Sequence, residues 1–210
     1  MKRLVPFVAG IALFVAASAA GASTLRLLAK PLPVLALAFA VAMAPGGPFA
    51  LRRGVFLGLL FSAAGDVLLD LDLFLPGLLA FLAAHVAYVV AFLSDTKTAA
   101  PLRALPFVIW GGLLFTHIEP RLGSLAGPVV VYIVAICTMM WRAAARVGSG
   151  PGSRGAWAGL LGAVSFGLSD SLIASDRFGA PIPHASAPIM AFYWLGQAGI
   201  AKAAFDKETP

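Results

Sequence analysis

Asp66, in LLFSAAGDVLLDL, and Asp170, in GAVSFGLSDSLIA, are the residues of this chain best placed to do chemistry. Each lies inside an apolar run long enough to cross a bilayer, where a charged side chain at a helix centre costs about 2.5–3.5 kcal/mol on insertion scales. Such side chains face a bundle interior or a wet cavity and mark functional sites by default. Two carboxyl groups held away from bulk water can divide the roles of general acid and general base. The competing reading is structural: an intramembrane Asp can bond a neighbouring hydroxyl or backbone group and fix helix packing.

Other polar groups fall near these two. Ser62, Asp66 and Asp70 recur at i, i+4 and share one helical face, while Ser165 and Ser169 accompany Asp170. Lys30 stands immediately before Pro31, His85 lies within an apolar run, and Tyr193 and Gln197 are four apart on the last one. His117 and Glu119 close one run, and Asp176, Arg177 and His184 fall in an apparent loop between two others. Each has a plainer reading too. His85 can be a satisfied core histidine, and Lys30, Asp176 and Arg177 can be snorkelling or loop charges. The single cysteine, Cys137, excludes a disulfide within the chain, and no CxxC, HExxH, GxGxxG or P-loop pattern occurs.

The elements that must position these residues are membrane helices. Of 210 residues 60% are hydrophobic and 11% charged, with a mean hydropathy of +0.94, which excludes an ordinary soluble domain. The net charge of +6 is scattered among loops and reads as topogenic rather than as a nucleic-acid surface. Eight apolar segments, at 4–20, 31–45, 54–70, 74–94, 103–118, 127–146, 156–174 and 186–204, predict an all-α polytopic membrane helix bundle forming a single transmembrane domain over 1–210. The first has the composition of a signal peptide but the length of a retained helix, and is read as a span.

Lys2, Arg3, Arg52, Arg53, Lys97, Arg103, Arg142, Arg146, Arg154, Lys202 and Lys207 fall on one side, against Arg26, Lys30, Arg121 and Arg177 on the other. That imbalance predicts both termini in the cytoplasm. By helical rise Asp66 then stands about 18 Å and Asp170 about 22 Å from the inner edge, both in the outer half of the apolar layer. His85 comes near the midplane. The expectation is an outward-opening polar pocket served by the third and seventh helices.

LLFSAAGDVLLDL followed by FLPGLLAFLAAHVAYVVAF, the Lys30-Pro31-Leu32 triplet, GAVSFGLSDSLIASDRF and the closing segment with Tyr193 and Gln197 together resemble the YhhN/TMEM86 family of membrane proteins, over roughly 25–205. The crowded acidic stretch DLDLF, with Asp70 and Asp72, departs from that pattern. The resemblance implies an eight-helix fold in a bacterial cytoplasmic (inner) membrane, and hydrolysis of the vinyl ether of lysoplasmalogens to a fatty aldehyde and a glycerophospho-alcohol. Asp66 and Asp170 would be the catalytic acids of the GD and SD motifs, and Lys30 the lysine of the KP motif. The chemistry needs a proton on the β-carbon and water on the resulting oxocarbenium ion. One carboxyl group delivers the proton and a second, ionised, stabilises the cation and activates water, with no cofactor or metal required. Lys30 and Arg177 are candidates to hold the phosphate, and Asp70, His85, Ser169, Tyr193 and Gln197 to line the substrate site. Two rival readings remain: a lipid-binding or small-solute transport protein, and a metal-dependent ceramidase-like hydrolase built on His85, His117 and His184.

Overall fold

A computed structural model describes residues 4–149 and 153–205. Lys2, Arg3 and Lys207, which enter the charge tally above, lie outside the described residues. Every regular element among those described is helical: α1 (Val5–Ala19), α2 (Ser23–Ala29), α3 (Leu32–Ala42), α4 (Phe49–Asp70), α5 (Phe74–Asp95), α6 (Leu105–Ile118), α7 (Ala126–Arg146), α8 (Ser153–Phe178) and α9 (Ser186–Ala203), with short 3₁₀ turns around α6. Five stretches, Ser23–Ala42, Phe74–Asp95, Pro101–Arg121, Gly123–Arg146 and Arg154–Phe178, are long and apolar enough to cross a membrane. Large apolar side chains such as Phe39, Phe49, Leu102 and Leu113 point outward, as they do where the solvent is lipid. The chain is a multi-pass helical membrane bundle.

The second span starts at Ser23 rather than at residue 31, because α2 and α3 follow one another without a change of course. Lys30 keeps helical angles and bonds back to Arg26, Pro31 is the N-cap of α3 and Pro33 lies in its first turn, positions where a missing N–H is tolerated. The loop between the last two helices is also shorter than expected. α8 continues to Phe178, so Asp176 and Arg177 belong to its final turn. Asp176 Oδ1 accepts the Ile182 amide at 2.7 Å and pins the loop that follows.

Two antiparallel hairpins form the centre. Along α4–α5, Gly54 abuts Ala91, Gly58 the Tyr88 ring and Gly65 the Phe81 ring. Along α8–α9 the approach is backbone to backbone: a Cβ on Gly162 would stand 2.6 Å from the Ile200 nitrogen, and one on Gly199 2.7 Å from the Gly162 Cα. Small residues at such a seam replace the hydrophobic drive that lipid cannot supply. α7 packs against α5 and α8, α3 against α4 and α9, and α1 against α2 and α3, with Phe14 edge-on to Trp194. α4 and α8 do not pack along each other.

The end opposite Asp70 is fastened by arginines. Arg142 of α7 donates to the carbonyls of Thr96, Thr98 and Ala99, Arg146 pairs with Asp95 at 2.6 Å, and Arg103 donates to the Ala144 and Val147 carbonyls. The loop joining α5 to α6 is thereby tied to α7 through its carbonyls.

The α8–α9 seam predicts a sharp contrast. Gly162→Leu should destabilise the protein by about 1–3 kcal/mol through overpacking, read as a lowered Tm in detergent. Gly127→Ala, where an added Cβ meets nothing within 4 Å, should leave Tm unchanged.

Candidate active site

The Asp170 cluster draws on three helices. From α7, the Tyr132 hydroxyl donates to Asp170 Oδ2 at 2.5 Å. From α5, His85 places Nε2 3.6 Å from the same oxygen, its ring edge-on to Tyr132 with centroids 5.0 Å apart. His85 is fully buried and neither ring nitrogen has a hydrogen-bond partner. Beside it, Trp110 of α6 donates to Ser171 at 3.0 Å, and Ser171 in turn donates to the Gly167 carbonyl. A protonatable carboxyl, a phenol and an imidazole thus meet in a water-poor setting.

The Asp66 cluster draws on α4, α9 and α2. Asp66 is buried and accepts the Tyr193 hydroxyl on Oδ2 at 2.7 Å. One helical turn on, Asp70 takes Arg26 at 2.9 Å and Lys30 at 3.3 Å on a single oxygen. Deeper in, Tyr88 of α5 donates to Gln197 Oε1 of α9 at 2.7 Å.

Although α4 and α8 do not pack along each other, the clusters are joined through the α4–α5 and α8–α9 hairpins and, between them, through a set of rings. Phe166 lies 4.8 Å from the His85 ring and 5.4 Å from Tyr193, and Phe81 lies 6.0 Å from Phe166 and 5.9 Å from Tyr193. Alongside them runs a narrow cavity of about 70 Å³ between α5, α6, α7 and α8. Asp170 is the one acid in its wall; Tyr132, Ser171 and Trp110 are its other polar neighbours, and the rest of the lining is largely Leu, Ile and Phe. At the mouth end Phe74 and Phe178 meet edge to face at 5.9 Å, and the Arg177 guanidinium lies 3.8 Å over the Phe74 ring.

The arrangement sorts the residues singled out in the sequence. Asp170 lines the chamber, His85 sits beside Asp170 outside the lining, and Arg177 touches the chamber only through the Phe74 ring. Asp66, Tyr193, Lys30 and Asp70 form the second cluster, outside its lining. Ser169 donates to the Ile189 carbonyl, and Gln197 holds Tyr88, so both join helices without lining the cavity. The expected outward-opening polar pocket is instead an apolar chamber flanked by polar clusters, because tyrosines satisfy the carboxylates and aromatic rings close the mouth. The three histidines do not converge: His117 and His184 are exposed at the mouth end, far from the buried His85, and among the described residues no three His, Cys, Asp or Glu side chains gather in metal-binding range. Tyr132, Arg26 and Trp110 were missed. Tyr132 offered a signal: a lone hydroxyl in the apolar run of α7, near the height of Asp170.

The chain is similar in sequence to known proteins. Human lysoplasmalogenase TMEM86B is 36% identical over 190 residues, which cover 87% of this chain and 76% of that protein. Bovine lysoplasmalogenase TMEM86A is 36% identical over 163 residues, 74% of this chain and 67% of its own length. A lysoplasmalogenase of Mycobacterium tuberculosis is 37% identical over 139 residues, 60% of this chain and 51% of its own. No solved structure matches the chain. The YhhN family model matches residues 25–204, which take in both aspartate clusters and the chamber, and the chain belongs to the YhhN family.

Proposed function

We propose that this protein is a lysoplasmalogenase-type hydrolase, cleaving the vinyl ether of a lysoplasmalogen to a fatty aldehyde and a glycerophospho-alcohol. The observation that carries the proposal is Asp170, a single acid in the wall of a largely apolar cavity lined by Leu, Ile and Phe side chains. The named activity of its relatives supports the same reaction. We place the protein in a bacterial cytoplasmic membrane, with the Asp70 end facing out.

Asp170 is the group that meets the reacting atoms. Tyr132 occupies Oδ2, which leaves Oδ1 to carry the transferable proton. Delivery of that proton to the β-carbon turns the vinyl ether into an oxocarbenium ion, and the Asp170 carboxylate left behind stabilises the adjacent positive charge. Water adds to the cationic carbon and loses its proton to the same carboxylate, as an acid/base carboxyl does in glycoside hydrolysis. The hemiacetal so formed collapses to aldehyde and alcohol. His85, unpartnered beside Asp170, is placed to orient the water. Asp66 is the second carboxyl; held by Tyr193 and flanked by Lys30, it acts on the site electrostatically. Arg177, stacked at the mouth, holds the phosphate.

In an aldehyde-release assay on purified protein, Asp170→Asn should lower kcat by about 10²–10⁴-fold, the range for losing a general acid–base group. Asp66→Asn should cause a smaller loss. Full activity in both variants would remove the carboxyl mechanism, and wild-type inactivity on vinyl-ether and ester lysolipids would remove the hydrolase reading.

Arg177→Ala should raise KM about tenfold with kcat little changed, as expected on losing one charge-assisted bond of about 1.5 kcal/mol that ground and transition states share. An unchanged KM would take the phosphate away from Arg177.

A further inference from the structure

The chamber has a second wall that the reaction does not use. Between α6 and α7, on the outer surface of the bundle, lies an apolar groove of about 480 Å³ lined by residues such as Val108, Phe115, Val130 and Val134. Val108, Val130 and Val134 are each at least 40% exposed, so the groove opens toward lipid. Gly111, Ile133 and Cys137 line both this groove and the Asp170 chamber. Three residues, one of them without a side chain, therefore separate the chamber from the bilayer.

Gly111 makes that wall thin and keeps it closed only by contact. A Cβ there would stand 2.8 Å from Cys137 Sγ and 2.9 Å from Ile133 Cγ2, so no larger residue fits without pushing α6 away from α7. Two side-chain hydrogen bonds hold α6 in this region, Trp110 Nε1 to Ser171 at 3.0 Å and Cys137 Sγ to the Phe107 carbonyl at 3.2 Å, and no backbone seam does. Its buried residues are Phe107, Gly111 and Ile118, and its middle carries exposed Val108, Ile109 and Leu113. Access from the water side is less open, since the edge-to-face pair of Phe74 and Phe178, with Arg177 over Phe74, covers the mouth.

We infer that the hydrocarbon chain of a single-chain phospholipid reaches the Asp170 chamber sideways from the bilayer, between α6 and α7, past Gly111, Ile133 and Cys137. The chain slides in from the apolar layer while the phosphate stays at the mouth end near Arg177. The bond next to the head group then stops beside Asp170. The chain never has to leave hydrocarbon, which would cost about 0.8 kcal/mol for each methylene exposed to water. The orientation of the chain rests on the hydrolase reading; the passage itself does not.

The single cysteine supplies the test in the intact protein, reconstituted in phosphatidylcholine vesicles. A long-chain alkyl maleimide dissolved in the bilayer should label Cys137, and a sulfonated maleimide in the water should not. A lysophospholipid with a saturated ether in place of the vinyl ether cannot be cleaved, and at about ten times its Kd it should slow labelling about tenfold by mass action. Glycerophosphoethanolamine, which lacks the chain, should not. Labelling unaffected by the ether lysolipid overturns the inference.

Gly111→Leu should depress aldehyde release about a hundredfold by displacing the bound chain. Val131→Trp, on the lipid-facing side of α7 and outside both cavities, should stay within about twofold of wild type. Wild-type turnover in Gly111→Leu likewise overturns the passage. If wild type releases no aldehyde while the ether lysolipid still protects Cys137, the chain site stands and the hydrolase reading falls.

Discussion

In a bundle whose surroundings are as apolar as its core, hydrogen bonds between helices fix which packing is unique, and here three tyrosine hydroxyls on buried acceptors are central among them. Tyr193 on Asp66 and Tyr88 on Gln197 tie the α8–α9 hairpin to the α4–α5 hairpin, and Tyr132 on Asp170 ties α7 to α8. Tyrosine suits this role because it adds an apolar ring to the core and delivers one polar atom at its tip. Removing either partner would leave a buried group unpaired, at about 1–3 kcal/mol. The structural and chemical readings of the two aspartates therefore do not compete: the bond that positions each carboxyl also holds the bundle.

The same bonds make the carboxyls unequal. Asp66 is enclosed, its hydroxyl partner on one side and the Lys30–Asp70–Arg26 charges one turn away. Asp170 is the one that reaches a cavity, with an imidazole rather than a cation as its second neighbour. Two acids that look alike in their apolar runs thus differ in what can touch them. Only Asp170 lines the cavity, while Asp66 lies behind Tyr193, which meets Phe81 and Phe166. In the dry interior a charge acts more strongly on its neighbours than it would at the same distance in water.

Much of this was legible in the sequence because the membrane makes burial legible. A charge inside an apolar run has few reasons to be there, which singled out Asp66, Asp170 and His85 without any geometry. Helix adjacency was not legible. Periodicity places a residue on a face but does not say which helix the face meets, so the expectation that the third and seventh spans share a site missed the rings and the helices α5, α7 and α9 that lie among them. Pro31 reads as a break, yet the chain carries on through it, because a proline at the N-cap of a helix has no bond to lose. Asp176 and Arg177 read as loop because apolar residues end near Ala174, whereas a helix needs only its own backbone bonds to run one turn further. Tyr132 was overlooked for a related reason: a single aromatic hydroxyl in an apolar run looks like core until its acceptor is known.

Stability and access are divided between different parts of the fold. The two hairpins close on glycine seams too tight to open, and the far end is fixed by Arg103, Arg142 and Arg146 on loop carbonyls and Asp95. α6 is the exception, anchored through Arg103 at one end and through the Ile118–Phe178 cluster at the other, with Gly111 and two lipid-facing grooves along its middle. A helix fixed at its ends can bow outward at its centre at the cost of a few side-chain contacts and, here, of the Trp110–Ser171 and Cys137–Phe107 hydrogen bonds. Bowing anywhere else would break a backbone seam or a buried hydrogen bond between hairpins. The site needs a rigid triad around Asp170 and a path wide enough for an alkyl chain, and those demands conflict if one element serves both. Here α5, α7 and α8 carry the triad, and α6, which gives the chamber only its outer wall and a Trp110 bond to Ser171, is free to carry the path.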